Sequence, residues 1–271
     1  MRADEPRLWS EHLIKLYETD AGPVQAVRGV DLELSGGAIV AIAGPSGCGK
    51  SSLLRMLAGL DQPTAGFVRI AGRDLYRLSR RERANARARL IAHIHQRPGD
   101  NLLDHLSVSQ QLDRVARPFD DGGSTADDAM EALGIRALAD RLPRHLSGGE
   151  RQRAAVARVL ASGHPVVIAD EPTSQLDTEH AASVMDAFRA LADGGTTVLI
   201  ATHDARVLAA VDQVVTMRDG VVTSVTEGGT ALAVIDRAGR VQLPPDAHRR
   251  FERRVRLTFD PETGRIVMEQ P

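Results

Sequence analysis

The chain has 271 residues, enough for one large domain with or without a small appendage. Its 34 Lys+Arg against 36 Asp+Glu give a formal net charge of -2, which excludes an overall basic field for nucleic acid, and aromatics at 3% leave little for a base-stacking platform. The single cysteine, Cys48, excludes an internal disulfide and fits a reducing compartment; with no N-terminal signal pattern and no long apolar run, the chain is not expected to span a membrane by itself.

From the N-terminus, residues 13–43 read as short strand-like pieces around Gly22-Pro23 and Gly36-Gly37. Their last piece, Ile39-Val40-Ala41-Ile42-Ala43, reads as a buried strand. It leads into Gly44-Pro45-Ser46-Gly47-Cys48-Gly49-Lys50-Ser51, which fits G-x-x-x-x-G-K-[ST], and Ser52 opens a helical run to Ala58. That strand–loop–helix setting is what a phosphate-cradling loop requires. The glycines let successive N–H groups point at phosphate oxygens, and the helix N-terminus adds a favourable dipole. Lys50 supplies a point charge for the β- and γ-phosphates, and Ser51 offers a hydroxyl to Mg²⁺. Only two lysines occur among the basic residues, Lys15 and Lys50. An ammonium fits inside a ring of backbone amides where a guanidinium fork does not.

Next come a strand at Gly66-Phe67-Val68-Arg69-Ile70 and an Arg-rich helix at 79–90, opened by a Ser79/Glu82 capping box and read as a solvated face. Residues 99–145 read as mostly helical, interrupted by the polar loop Asp120-Asp121-Gly122-Gly123. Residues 165–170 and 196–202 are short β-branched runs that read as buried parallel strands, which points to an α/β domain with a largely parallel sheet. Past Gly228-Gly229 the texture changes. Strands are expected at 231–236, 240–243, 255–260 and 265–269, and a domain boundary near 227. So small an all-β appendage buries little surface alone and should need a second copy or the main domain.

The two buried runs end in chemistry. Asp170 closes the first and can hold Mg²⁺; Glu171 follows and can act as general base on an attacking water. The second ends at His203, placed to meet a γ-phosphate or that water. Upstream lies Leu146-Ser147-Gly148-Gly149-Glu150, where Ser147 reads as an N-cap and the glycines leave N–H groups uncovered, a second anion site.

With these motifs in order, the chain resembles the ATP-binding-cassette (ABC) ATPases over residues 11 to about 226. The resemblance adds a glutamine loop at Gln96, a D-loop at Ser174-Gln175-Leu176-Asp177 and an adenine-stacking aromatic at Tyr17. It implies a P-loop NTPase fold with a mostly parallel core sheet, an antiparallel β subdomain and a helical subdomain at about 97–150, all within residues 1–226. The implied catalytic residues are Glu171, His203 and Gln96. The implied ATP-binding residues are Tyr17, the loop from Gly44 to Ser52, Ser147, Gly148, Gly149, Glu150 and Asp177, and those for Mg²⁺ are Ser51, Gln96 and Asp170. The family's D-loop often carries Ala where this chain has Gln175.

The family works as a head-to-tail homodimer in which one copy's signature closes over ATP on the other copy's P-loop. It serves a separate transmembrane permease, touched here by residues 97–112, from the cytoplasmic face of the cell membrane. Asn101-Leu102-Leu103 resembles the lipoprotein-release and macrolide-export subgroup. The tail, 227–271, resembles an AbrB-type swapped hairpin, with a basic cluster of Arg249, Arg250, Arg253, Arg254 and Arg256. A rival reading is therefore a soluble ABC ATPase acting on DNA through its tail. Against it, the chain has one cassette, and the P-loop and signature lie too close in sequence for a long coiled coil.

Overall fold

The computed structural model describes residues 6–20, 22–116, 125–235, 239–241, 256–261 and 265–269. Strands β1 (Leu8–Thr19) and β2 (Gly22–Leu34) form one long antiparallel hairpin, with Leu8, Leu13, Val27 and Val30 buried. The sequence pattern suggested shorter pieces here. The register slips between Ser10 and Leu13, Leu13 and Ile14, and Lys15 and Leu16, and each slip breaks the inside–outside alternation that marks a continuous strand.

Strand β3 (Ile39–Ala43) is the expected buried run, and α1 (Lys50–Leu57) the expected helix. Then β4 (Ala65–Ile70) pairs with β1 and with the short β5 (Arg73–Asp74), completing a four-stranded sheet ordered β2-β1-β4-β5. Helix α2 (Arg80–Leu90) carries the expected capping box; its only buried residue is Ala86, in keeping with a solvated face. Strand β6 (Ile91–Ile94) comes next.

The stretch expected to be mostly helical is broken into short helical pieces. Among the described residues it holds α3 (Val108–Val115), α4 (Ala126–Ala132) and single 3-10 turns at Pro98–Asn101, Arg136–Leu138 and Pro143–His145. Capping boxes at Ser107/Gln110 and Thr125/Asp128 start the two helices, while Gly134 at φ 60 and Pro143 interrupt the chain beyond α4. The loop at 120–123 lies outside the described residues.

Helix α5 (Gly148–Ser162) leads to β7 (Val166–Asp170), α6 (Thr178–Asp193), β8 (Thr197–Ala201), α7 (Ala205–Ala210), β9 (Gln213–Arg218), β10 (Val221–Glu227) and β11 (Thr230–Ala233). The large sheet runs β11-β10-β9-β3-β8-β7-β6, parallel from β9 to β6 and antiparallel through β10 and β11. Alternate residues of its central strands feed two cores. Val167, Ala169, Val198 and Ile200 pack with α5 and α6, while Val166, Ile168, Leu199 and Ala201 pack with α1 and the hairpin. In α6 the buried Ala181, Val184, Ala187 and Phe188 recur at helical spacing, which seats that helix on the sheet.

The tail departs from expectation. Its first strand pairs with β10, so Gly228-Gly229 is a hairpin turn inside the large sheet rather than a break beside it. Of the second, only Arg240 and Val241 are described, and Val241 forms an isolated bridge with Ile235. The last two form the antiparallel pair β12 (Arg256–Asp260) and β13 (Arg265–Glu269). Residues 242–255, with Arg249, Arg250, Arg253 and Arg254 of the basic cluster, lie outside the described residues.

Candidate functional site

The loop between β3 and α1 takes its shape from glycine. Gly44 has φ 152 and Gly49 φ 103, and a Cβ would run into the backbone oxygen of Met217 or Ala26 respectively. The Lys50 ammonium donates to the carbonyls of Gly44 (2.7 Å) and Pro45 (3.0 Å), which holds it across the loop. Cys48 is buried, so only its backbone belongs to the loop surface.

Ser46, Gly47, Gly49, Lys50, Ser51 and Ser52 line a cleft of about 320 Å³ together with Gln96, Asp170, Glu171 and Ala26. Segments far apart in sequence meet there because β3, β8 and β7 are neighbours and end on the same side. Burial pushes the Asp170 carboxyl above its ordinary range; the Ser51 hydroxyl bonds to it and opposes the rise, while Glu171 adds to it.

Glu171 has φ 49, a strained backbone for a residue other than glycine and the kind that clusters at functional sites. It is nearly buried. Its Oε2 accepts from the Thr202 hydroxyl at 3.0 Å, and its Oε1 lies 2.6 Å from His203 Nδ1. The pairing Asp170↔Ala201 between β7 and β8 sets both side chains just past the ends of adjacent strands. Thr202 escaped the sequence reading. Its full burial between β8 and His203 shows only in the structure. Gln96 hangs from a loop clamped by Asn101, whose amide accepts from His95 N (2.7 Å) and donates to His95 O (3.0 Å) and Arg97 O (3.2 Å).

Ser147, Gly148, Gly149 and Glu150 do not line the cleft. Ser147 caps α5 in a reciprocal box: Glu150 N donates to its hydroxyl at 3.2 Å and its own N–H donates to Glu150 Oε2 at 2.7 Å. The Ser147 N–H and then its side chain, bonded to the Glu150 carboxyl, hold it below its ordinary range. A Cβ on Gly148 would collide with Oε1 of Gln175, so the residue that departs from the family's D-loop lies against the signature. Buried Gln152 donates to Pro172 O at 2.8 Å, which ties α5 to the loop after Glu171. Asp177 also lies off the cleft. It caps α6, accepting from His180 N at 2.9 Å, and that bond and the His180 side chain lower its carboxyl. Tyr17, on β1, donates its phenol to Asp61 at 2.8 Å, has the Lys15 ammonium 4.9 Å from its ring centroid, and does not line the cleft.

Comparison with known proteins gives one family model, described as ABC transporter, matching residues 27–174. A lipoprotein-releasing system ATP-binding protein, LolD 1 of Rhodopirellula baltica, is 42% identical over 196 residues, covering 70% of this chain and 85% of that protein. A macrolide export ATP-binding/permease protein, MacB of Shigella flexneri, is 36% identical over 224 residues, covering 79% of this chain and 34% of that longer protein. Among solved structures, a dimeric ATP-binding cassette in a post-hydrolysis state, bound to ADP and Pi, superposes with a TM-score of 0.71 at 30% identity, covering 81% of this chain and 98% of that one.

Proposed function

The chain belongs to the ABC transporter family of ATPases, and from that premise we propose that it powers a separate membrane permease by closing and opening as an ATP-dependent homodimer. The observation that carries the reading is the single cleft shared by the phosphate loop, Gln96, Asp170 and Glu171. The loop amides and Lys50 bind the triphosphate. Glu171, held by Thr202 and His203, takes the proton of the attacking water. His203 fixes the carboxylate and contacts the γ-phosphate; Tyr17 stacks on adenine. Ser147, Gly148 and Gly149 face the nucleotide of the opposite copy, which Asp177 supports across the dimer.

The donors fit a hard cation. The Ser51 hydroxyl, already bonded to the Asp170 carboxylate, and the Gln96 amide are oxygen ligands of the kind Mg²⁺ takes when phosphates complete its shell. When bound, Mg²⁺ neutralises phosphate charge.

Residues 1–226 make up the ATPase domain in this reading; the chain beyond them first adds β11 to the edge of its large sheet and then becomes a small β appendage. The permease contact is the groove of about 400 Å³ lined by Asp100, Asn101, Leu102, Leu103, Arg158 and His164 among others, beside the loop that carries Gln96. No described helix is long and apolar enough to cross a membrane. In this reading the partner spans it and this chain sits peripherally on the inner face. The names of the similar proteins favour a lipoprotein-release or macrolide-export type of permease. Purifying the tagged chain from membranes tests this. An integral membrane protein should copurify and should be lost from the Leu103→Glu variant. Recovery without any membrane protein, with ATPase activity stimulated by DNA, would overturn it in favour of a DNA-directed enzyme.

A further inference from the structure

Of the two lysines in the chain, the one outside the phosphate loop is fully engaged. Lys15 Nζ lies 2.6 Å from Asp61 Oδ1 and donates to Gln62 O at 2.8 Å. The Tyr17 hydroxyl donates to the other oxygen of the same carboxylate at 2.8 Å, and the Lys15 ammonium stands 4.9 Å from the centroid of the Tyr17 ring. The Lys15 and Asp61 side chains are 12% and 21% exposed, so this ion pair is less screened than one standing free in water.

Asp61 is itself held in place. Its N–H donates to Arg55 O at 3.1 Å, and Tyr76 Oη lies 2.6 Å from its carbonyl oxygen. It follows the end of α1 by four residues, and α1 opens on Lys50 and Ser51. The helix that starts at the phosphate loop thus anchors, just past its end, the hydroxyl of Tyr17.

The hairpin brings the same ring toward the nucleotide cleft. Tyr17 pairs with Val24 on β2. The register slip between Lys15 and Leu16 leaves Ala26 without a partner on β1, and Ala26 lines the cleft. Bulges of this kind are frequent beside functional sites, where they re-aim side chains. Val24 and Ala26 are two residues apart, about 7 Å of strand, a distance that a ribose and its base can span.

Resting on the reading that Tyr17 stacks on adenine, we propose that Lys15 and Asp61 are positioning residues for that stacking. Asp61 fixes the ring through its hydroxyl. Lys15 takes one face of the ring, and the base stacks on the opposite one. A loose tyrosine has to be ordered when the nucleotide arrives, and a ring already held avoids that loss. The clamp acts on the base alone, since the loop amides and Lys50 hold the phosphates.

Calorimetry on the full-length protein with Mg²⁺ compares ADP with inorganic pyrophosphate, which lacks the base; neither measurement needs ATP turnover. Tyr17→Phe keeps a ring that can stack and loses only the hydroxyl. It and Asp61→Ala should each weaken ADP roughly fivefold, within the range for one side chain ordered on binding. The double variant should be no worse than either alone, because both changes remove the same bond. Lys15→Met, which keeps the stem and loses the charge, should also weaken ADP, and Tyr17→Ala should weaken it most. Pyrophosphate affinity should stay put in every variant. Tyr17→Phe removes one oxygen from a half-buried side chain, so it keeps the test open even where Asp61→Ala melts early. ADP binding indifferent to Tyr17→Ala would overturn the adenine role of Tyr17 and the clamp with it. A loss with Tyr17→Ala but none with Tyr17→Phe or Asp61→Ala would keep the stacking and overturn the clamp. Equal losses for ADP and pyrophosphate, or additive losses in the double variant, would make Asp61 a support of the fold and overturn the proposal as well.

Discussion

Replacing Glu171 with Gln separates the proposed chemistry from the fold. The side chain makes two contacts, with Thr202 at 3.0 Å and with His203 at 2.6 Å. A glutamine is nearly isosteric. Its oxygen still accepts from Thr202, while its NH₂ meets His203 Nδ1, which must then act as acceptor. One bond is weakened, at a cost of about 1 kcal/mol, so Tm should fall by roughly 2–4 °C. The proton acceptor itself is lost, and a general base contributes about 10²–10⁴-fold in rate, or roughly 3–5 kcal/mol of barrier. Phosphate release at saturating ATP should therefore collapse while melting barely changes. With hydrolysis removed and binding intact, size-exclusion chromatography in ATP should show a dimer. A variant that melts normally and still turns over within about tenfold of the parent would remove Glu171 from the base role. A variant that elutes only as monomer with ATP would refute the closure of two copies around nucleotide.

Three further outcomes are expected. Phe188→Ala empties a fully buried ring site between α6 and the large sheet and should cost about 3–5 kcal/mol in urea unfolding, with most of it recovered by Phe188→Leu. Gly49→Ala forces a Cβ toward Ala26 O at a φ of 103, and strain of about 1–2 kcal/mol should weaken nucleotide binding roughly tenfold in a fluorescence titration. Deleting 228–271 removes β11, an edge strand exposed along its whole length, so ATP binding should survive; nucleotide-free dimerisation, measured by analytical ultracentrifugation, should weaken. Salt-sensitive DNA binding that disappears with the same deletion would support the DNA-directed alternative.

The parts of the site legible from sequence are those whose chemistry needs a fixed local pattern. Gly44 to Ser51 must alternate glycine with donors to curl around phosphate, and β7 must end in a carboxylate to place it at the sheet edge, so both stood out along the chain. The contact between Glu171 and His203 was legible only as two strand ends; the pairing of β7 with β8 made them neighbours. Thr202, Ala26 and Gln152 were not legible, because each acts through a long-range contact that leaves no spacing behind. The fold shows the same division. Central strands announced themselves as continuous apolar runs, since both faces are buried. The β1–β2 hairpin did not, because its bulges shift the alternation three times. Residues 99–145 have the composition of helix, but Gly134, Pro143 and short capped segments break the described part into short pieces. The first tail strand looks like part of a separate unit because glycines precede it, and glycine marks a hairpin turn as readily as a linker.

The carboxylate of Glu171 and the imidazole of His203 hang from two ladder-bonded strands, not from a mobile arm. Their spacing is thus inherited from sheet geometry. Insertions at the outer bends of this protein leave that spacing untouched, whereas a one-residue slip between β7 and β8 would turn one partner to the opposite side. Such an arrangement lets the periphery drift toward new cargoes and new binding companions while the pair proposed for hydrolysis keeps time for all of them.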